Sequence, residues 1–210
     1  MDINIVDPKH SALIVIDVQN DFIHSEGAMA KGGSTVTPAQ EMVPQLIKFI
    51  EEAGNIDMPV IYTLATHSRW TDTPSWRQRL SPVVDLDHFC RPNTWGCDFY
   101  QVKPREDDLV MLKPRFSAFI GTHLELTLGA IGAINLILTG VATGGCVEAT
   151  AKHGYMLDYN IVVVEDCTAG GRDEAHRAAL QRLDARRPFV ITSSKEIIQA
   201  WQETATPAKV

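Results

Sequence analysis

The chain has 210 residues, of which 45% are hydrophobic and 21% charged, with a formal net charge of -7. That length and balance fit a single domain over 1–210 with a substantial core. The acidic balance, with no basic cluster interleaved with aromatics, argues against nucleic acid as the partner.

The first ten residues carry Asp2, Asp7 and Lys9 and no apolar core, so no signal peptide is expected, and no apolar run approaches a membrane span. Ala12–Ile16 is a buried strand that ends at Asp17. Thr37-Pro38-Ala39-Gln40 is a helix start, with Thr37 as N-cap and Gln40 closing a capping box. The helix should stop at Gly54. Residues 59–64 form a second strand.

Residues 66–106 break the pattern. They hold Trp70, Trp76, Trp95 and several prolines with little periodicity, which suggests a lid, a subunit contact or a packed surface loop. A third strand, 109–112, leads to Lys113-Pro114. Thr122 and Glu125 make a capping box for the next helix. The strand at 134–138 runs into the small-residue turn Thr139–Gly145, then Cys146, with a helix from Val147 to about Leu157. A fifth strand covers 161–164, a helix roughly 173–186, a sixth strand 189–192. Ser193 and Glu196 cap a last helix through Trp201.

Strands and helices alternate, and several strands are continuous apolar runs, as strands buried on both faces are. The expected fold is therefore α/β: a three-layer α/β/α arrangement around a six-stranded, mainly parallel, Rossmann-like sheet. Ligands in such sheets bind beyond the carboxyl ends of the strands. Asp17, Lys113 and Cys146 all fall at that edge. Cys146 stands where a strand gives way to a helix N-terminus, whose dipole and free N–H groups should lower its pKa and make it a candidate nucleophile. The four cysteines, Cys90, Cys97, Cys146 and Cys167, show no CxxC spacing. They read as reduced thiols of a cytoplasmic protein. Cys90 and Cys97 beside His88 fit no common zinc pattern.

Three blocks, Ala12–Phe22, Lys113–Phe119 (KPRFSAF) and Gly140–Thr150 (GVATGGCVEAT), in this order resemble those of the isochorismatase-like cysteine hydrolases. The resemblance runs from about Ser11 to Trp201. It implies a catalytic triad. Cys146 would attack the carbonyl carbon, Asp17 would take the thiol proton and pass it to the leaving nitrogen, and Lys113 would favour the thiolate and orient Asp17. It further implies an oxyanion hole from the N–H groups of Ala142 and Cys146, a cis peptide at Val141-Ala142, and a homo-oligomer, possibly a tetramer. The family often places Asn and an apolar residue before the nucleophile; Gly144-Gly145 stand there instead and remove bulk near the thiol.

Isochorismatases proper generally lack the cysteine, so Cys146 points to C–N bond hydrolysis. Nicotinamidases carry an Asp-x-His metal motif after the second strand; here Ala65 replaces the Asp and only His67 remains, so no metal and no cofactor are expected. The second and third blocks look closest to ureidoacrylate and biuret-type hydrolases. The expected function is a cysteine amidohydrolase of a small ureide or N-carbamoyl compound. The alternatives are an amidase of another small amide, such as nicotinamide, and a non-catalytic α/β binding module. Gln19, Asn20, Phe22, Trp70 and Phe119 are the candidate substrate contacts, with Trp76 a further wall. Arg69, Arg77, Arg79 and Arg172 are candidates for a substrate carboxylate.

Overall fold

A computed structural model describes residues 3–80, 82, 84–185 and 189–205. Six strands form one sheet: β1 (Ser11–Ile16), β2 (Val60–Ala65), β3 (Leu109–Lys113), β4 (Asn135–Val141), β5 (Asn160–Ala169) and β6 (Phe189–Thr192). Every pairing is parallel and the order is β3-β2-β1-β4-β5-β6. The order runs outward in both directions from β1 and β4. The seam between them is the topological switch point of a doubly wound sheet.

Among the described residues eight α-helices accompany the sheet: α1 (Asn20–Ile23), α2 (Ala28–Lys31), α3 (Thr37–Asn55), α4 (Pro74–Leu80), α5 (Leu124–Ile131), α6 (Glu148–Met156), α7 (Asp173–Asp184) and α8 (Ser194–Ala205). Successive side chains of a strand point to opposite faces, and each inner strand feeds two cores. Leu13 and Val15 of β1, Ile137 of β4, and Val162 and Val164 of β5 pack toward α3 and α8. Ile14 and Ile16, Leu136 and Leu138, and Ile161 and Val163 pack toward α5, α6 and α7. This double burial is why the strands read as unbroken apolar runs. On α3, Met42, Val43, Leu46, Phe49, Ile50 and Ala53 form the buried stripe, spaced three and four residues apart. Phe49 stacks on Trp201 of α8 with ring centroids 5.2 Å apart.

Several boundaries differ from expectation. Thr37 is already helical and Val36 takes the cap position, because Pro38 at the second helical position needs no N–H partner there. The helix continues past Gly54 to Asn55. β5 runs on to Ala169, since a register shift between Leu138 and Gly140 lets Thr168 and Ala169 pair with the end of β4. α7 ends at Asp184, and the expected end near 186 lies outside the described residues. The Ser193–Glu196 capping box forms, with Ser193 N donating to Glu196 Oε2 at 3.2 Å and Glu196 N to Ser193 Oγ at 3.3 Å. Thr122 Oγ1 accepts from Leu124 N at 3.2 Å, while His123 takes the cap position of α5.

Candidate active site

Three side chains meet at the carboxyl edge of the sheet. Asp17 follows β1, Lys113 ends β3, and Cys146 lies in a widened π-type turn, Thr143–Val147, between β4 and α6. Lys113 Nζ is 2.7 Å from Asp17 Oδ2, and both side chains are 0% exposed. The same nitrogen is 3.3 Å from Cys146 Sγ and 3.0 Å from the carbonyl oxygen of Arg115. An ammonium has three protons to donate, and these three acceptors account for them. The Asp17 carboxylate and the Cys146 sulfur thus share the Lys113 ammonium.

The backbone is shaped to bring these groups together. Asp17 has φ +53, in the left-handed region that Asp tolerates better than most residues. Its N–H donates to Thr63 O at 2.9 Å and its carbonyl accepts from Gln19 N at 2.8 Å, which fixes the turn. Beside it Gly140 has φ +97, and a Cβ there would overlap the Ile16 carbonyl. Glycine is what lets β4 approach β1 at the point where Asp17 begins. The Val141–Ala142 peptide is cis. The Ala142 carbonyl accepts from Gly145 N at 2.8 Å and Val147 N at 3.3 Å, closing the turn that presents Cys146.

Electrostatics differ from the expectation drawn from the helix dipole. Burial pushes the Cys146 thiol well up, and the neighbouring Asp17 charge adds to it, against the opposing pull of Lys113. A dipole at a helix end is worth too little to offset complete burial beside a carboxylate. Burial also raises Asp17, with the Lys113 charge pulling the other way. For Lys113, burial acts to lower the ammonium, but Asp17 and Cys146 outweigh it and the net direction is up. Burial therefore favours a thiol that keeps its proton at rest, and Lys113 is the group whose charge its neighbours favour.

Lys113 and Cys146 open onto a cavity of about 160 Å³ whose walls include Phe22, His67, Trp76, Phe89, Phe116, Ala142 and Gly145. That is small beside the volumes of drug-sized sites, roughly 300–1,000 Å³, and suits a ligand of few heavy atoms. Phe22 lines it as expected. Four other expected contacts do not. Gln19 is fully buried; its Nε2 donates to the carbonyls of Ala65 (3.0 Å) and Cys97 (2.9 Å), and its Oε1 accepts from Ala65 N (2.8 Å). Asn20 Nδ2 donates to the Trp95 carbonyl at 2.7 Å. With Asp21, whose carboxylate accepts from Cys90 N at 2.7 Å and Ala28 N at 3.1 Å, they fasten the long segment to the sheet edge. Trp70 is 81% exposed. Phe119 turns into the core beside His153 and Tyr159, at 5.2 and 5.8 Å.

The long segment contains α4, which carries Trp76 to the cavity wall. Arg69 lies over Trp70 and Arg77 pairs with Asp87 at 2.8 Å, both away from the cavity. Arg115, in the KPRF block but passed over in the sequence, does line the cavity. Its guanidinium sits 4.6 Å from the Trp76 ring and donates to the Thr71 and Pro114 carbonyls at 3.0 and 2.6 Å. Phe116 was likewise legible only as part of that block. Cys90 and Cys97 are buried free thiols, and His88 bonds Asp85 at 2.8 Å.

A divalent metal does not fit the position after β2. Ala65 supplies no donor side chain, and His67 Nδ1 is engaged by Asp72 Oδ1 at 2.9 Å. Among the described residues no group of three or more His, Cys, Asp or Glu side chains is placed to hold a metal ion.

A six-stranded, all-parallel sheet flanked by helices, with Asp17, Lys113 and Cys146 gathered at its carboxyl edge, defines an α/β protein of doubly wound design. The chain belongs to the isochorismatase family: residues 11–195 match the isochorismatase domain. It is a hydrolase acting on C–N bonds. It is 30% identical over 207 residues to the ureidoacrylate amidohydrolase RutB of Caulobacter vibrioides, covering 90% of each chain. It is 32% identical to an Arabidopsis thaliana protein named a probable inactive nicotinamidase, over 93% of this chain and 96% of that one. The nicotinamidase PncA of Bacillus subtilis superposes with a TM-score of 0.74 at 26% identity, covering 88% of this chain and 99% of that one. No helix among the described residues is long and apolar enough to cross a membrane.

Proposed function

We propose that the protein is a cysteine amidohydrolase that cleaves a C–N bond of a small ureide or N-carbamoyl compound and releases ammonia. The observation that carries this is the contact of Lys113 with both Asp17 and Cys146 beside a small, mainly apolar cavity that Lys113 and Cys146 line. Asp17, with its pKa raised, is a stronger base than a solvated aspartate and takes the thiol proton as Sγ attacks the carbonyl carbon. Lys113 stays charged and compensates the negative charge as it moves between carboxylate and sulfur. The N–H groups of Ala142 and Cys146 are the proposed donors to the oxyanion. The C–N bond then breaks, and the proton on Asp17 goes to the leaving nitrogen. Water, deprotonated by Asp17, attacks the thioester; the C–S bond breaks and the proton returns to sulfur.

Arg115 favours a ureide that also carries a carboxylate. Among the described residues it pairs with no acidic side chain, and it is the only arginine lining the cavity. An N-carbamoyl amino acid or ureidoacrylate would supply the missing charge; biuret would not. The likeness to a ureidoacrylate amidohydrolase is in the same direction. The second reading, hydrolysis of nicotinamide or a similar amide, rests on the nicotinamidase-like relatives. Ammonia release from purified protein, with ureidoacrylate, N-carbamoyl-β-alanine, biuret and nicotinamide side by side, decides between them. Turnover of nicotinamide alone would overturn the ureide assignment.

The four free cysteines support a cytoplasmic setting. Exposed Val110 and Leu112 on the edge strand β3, with Phe116 and Ile120 just beyond it, support association with further copies of the chain. Sedimentation of the full chain at micromolar concentration tests this.

A further inference from the structure

His67 is buried and forms part of the cavity wall, yet the triad chemistry does not use it. Its Nδ1 lies 2.9 Å from Asp72 Oδ1, and Asp72 Oδ2 lies 3.2 Å from Arg91 Nη1. The Asp72 side chain is 1% exposed, so the carboxylate that joins the two is sealed from water. The imidazole neighbours Trp76, with ring centroids 6.4 Å apart and planes 21° from parallel, and Phe89, at 5.4 Å and tilted by 30°. The ring is thereby held at one nitrogen and packed beside two aromatic side chains. Nε2 has no hydrogen-bond partner among the described residues.

We infer that His67 is a specificity-determining residue: held by Asp72 through Nδ1, it offers the lone pair of Nε2 to an N–H of the bound ureide or amide. An ionised carboxylate can only accept, so it selects the tautomer with the proton on Nδ1, and the other nitrogen becomes the acceptor. Burial lowers the His67 pKa; Asp72 opposes this, while Arg91 and Lys113 act with burial. The ring is therefore uncharged at neutral pH. Among the charged side chains of the cavity, Arg115 can only donate and the Lys113 protons are already taken, while the aromatic walls accept little. An NH₂ group brought into such a site without an acceptor would lose its hydrogen bonds to water uncompensated. The side chain that leaves a metal site incomplete thus becomes a reader of substrate N–H groups.

This inference rests on the proposed amidohydrolase reading, and the test separates the two. The probe is N-carbamoyl-β-alanine. Heteronuclear NMR of ¹⁵N-histidine-labelled protein, with His67 assigned by its loss in His67→Gln, should show Nδ1 protonated and Nε2 bare at pH 7. Adding the probe to Cys146→Ser should move the Nε2 resonance. A proton on Nε2, a charged ring, or an unmoved resonance at saturation would overturn the inference, with or without turnover. In kinetics, His67→Phe should raise KM roughly 10- to 100-fold, the loss of one hydrogen bond to a buried group, with His67→Gln recovering part of it. An unchanged KM in His67→Phe would also overturn it. Absence of all ureide and amide hydrolysis in the wild type would instead remove the proposed function, and the NMR result would still decide the role of His67.

Discussion

Lys113 Nζ lies 2.7 Å from Asp17 Oδ2 in a place that water does not reach. Two opposite charges buried together stand or fall as a pair, because desolvating either alone costs far more than their mutual attraction returns. Lys113→Met should therefore destabilise the fold by roughly 3–5 kcal/mol, the usual result of stranding one partner of a buried pair. Without the ammonium, burial dominates and Asp17 is raised further. A carboxyl whose folded pKa lies above its unfolded value binds its proton more tightly when folded. Stability of the variant should then be greatest in acid and fall as pH rises through the ordinary aspartate range and beyond. Denaturant melts across pH check this, and a variant as stable as wild type at neutral pH would refute it.

Cys146→Ala and Cys146→Ser should each lower ammonia release at least about a thousandfold while leaving the melting temperature within a few degrees. The side chain is small and buried, and neither replacement adds volume that the turn cannot hold. Residual activity above a tenth of wild type would exclude sulfur as the nucleophile.

The pH dependence of kcat/KM should show an acid limb set by Asp17. Its pKa is raised by burial, so activity should begin to fall at a higher pH than a solvated aspartate would give. The sign is definite: protonation on the acid side removes the base. An acid limb at or below the ordinary aspartate value of 3.8 would contradict it.

Trp70 and Trp76 make a controlled comparison. Trp70 is 81% exposed, whereas Trp76 closes one side of the cavity. Trp76→Ala should raise KM about tenfold or more through lost contact area, and Trp70→Ala should leave it unchanged in the single chain. Equal effects on KM would mean that Trp70 reaches the substrate by another route.

Gln19→Ala tests a structural role. The amide satisfies both backbone groups of Ala65 and the Cys97 carbonyl. Removing it should cost roughly 1–3 kcal/mol for buried groups left unpaired, visible in denaturant melts. A KM change with no loss of stability would return Gln19 to the substrate.

The sheet, and the meeting of Asp17, Lys113 and Cys146 at its edge, were legible because their signals are local and repeated. Unbroken apolar runs mark strands buried on both faces, and reactive residues directly after three of them mark the edge. Gln19, Asn20 and Phe119 were misread for a common reason. Each lies beside a catalytic block, but a residue's neighbour in sequence points elsewhere when the chain turns. The partners that claimed Gln19 and Asn20 come from residues 65, 95 and 97, which no pattern near residue 20 announces. The raised thiol pKa escaped for a similar reason. A helix start is visible in sequence, but complete burial beside Asp17 is a property of the assembled edge.

The three reactive groups hang from β1, β3 and β4, and β2 lies between β3 and β1. Lys113 is paired with Ala65, and Leu112 beside it faces outward. A slip of one residue between β3 and β2 would turn Leu112 inward and carry the ammonium to the opposite side of the sheet. The site is therefore a gauge of strand registration. No fragment lacking any of these four strands can be half active, and recovery of turnover during refolding should time the final alignment of β3, the edge strand, rather than the collapse of either core.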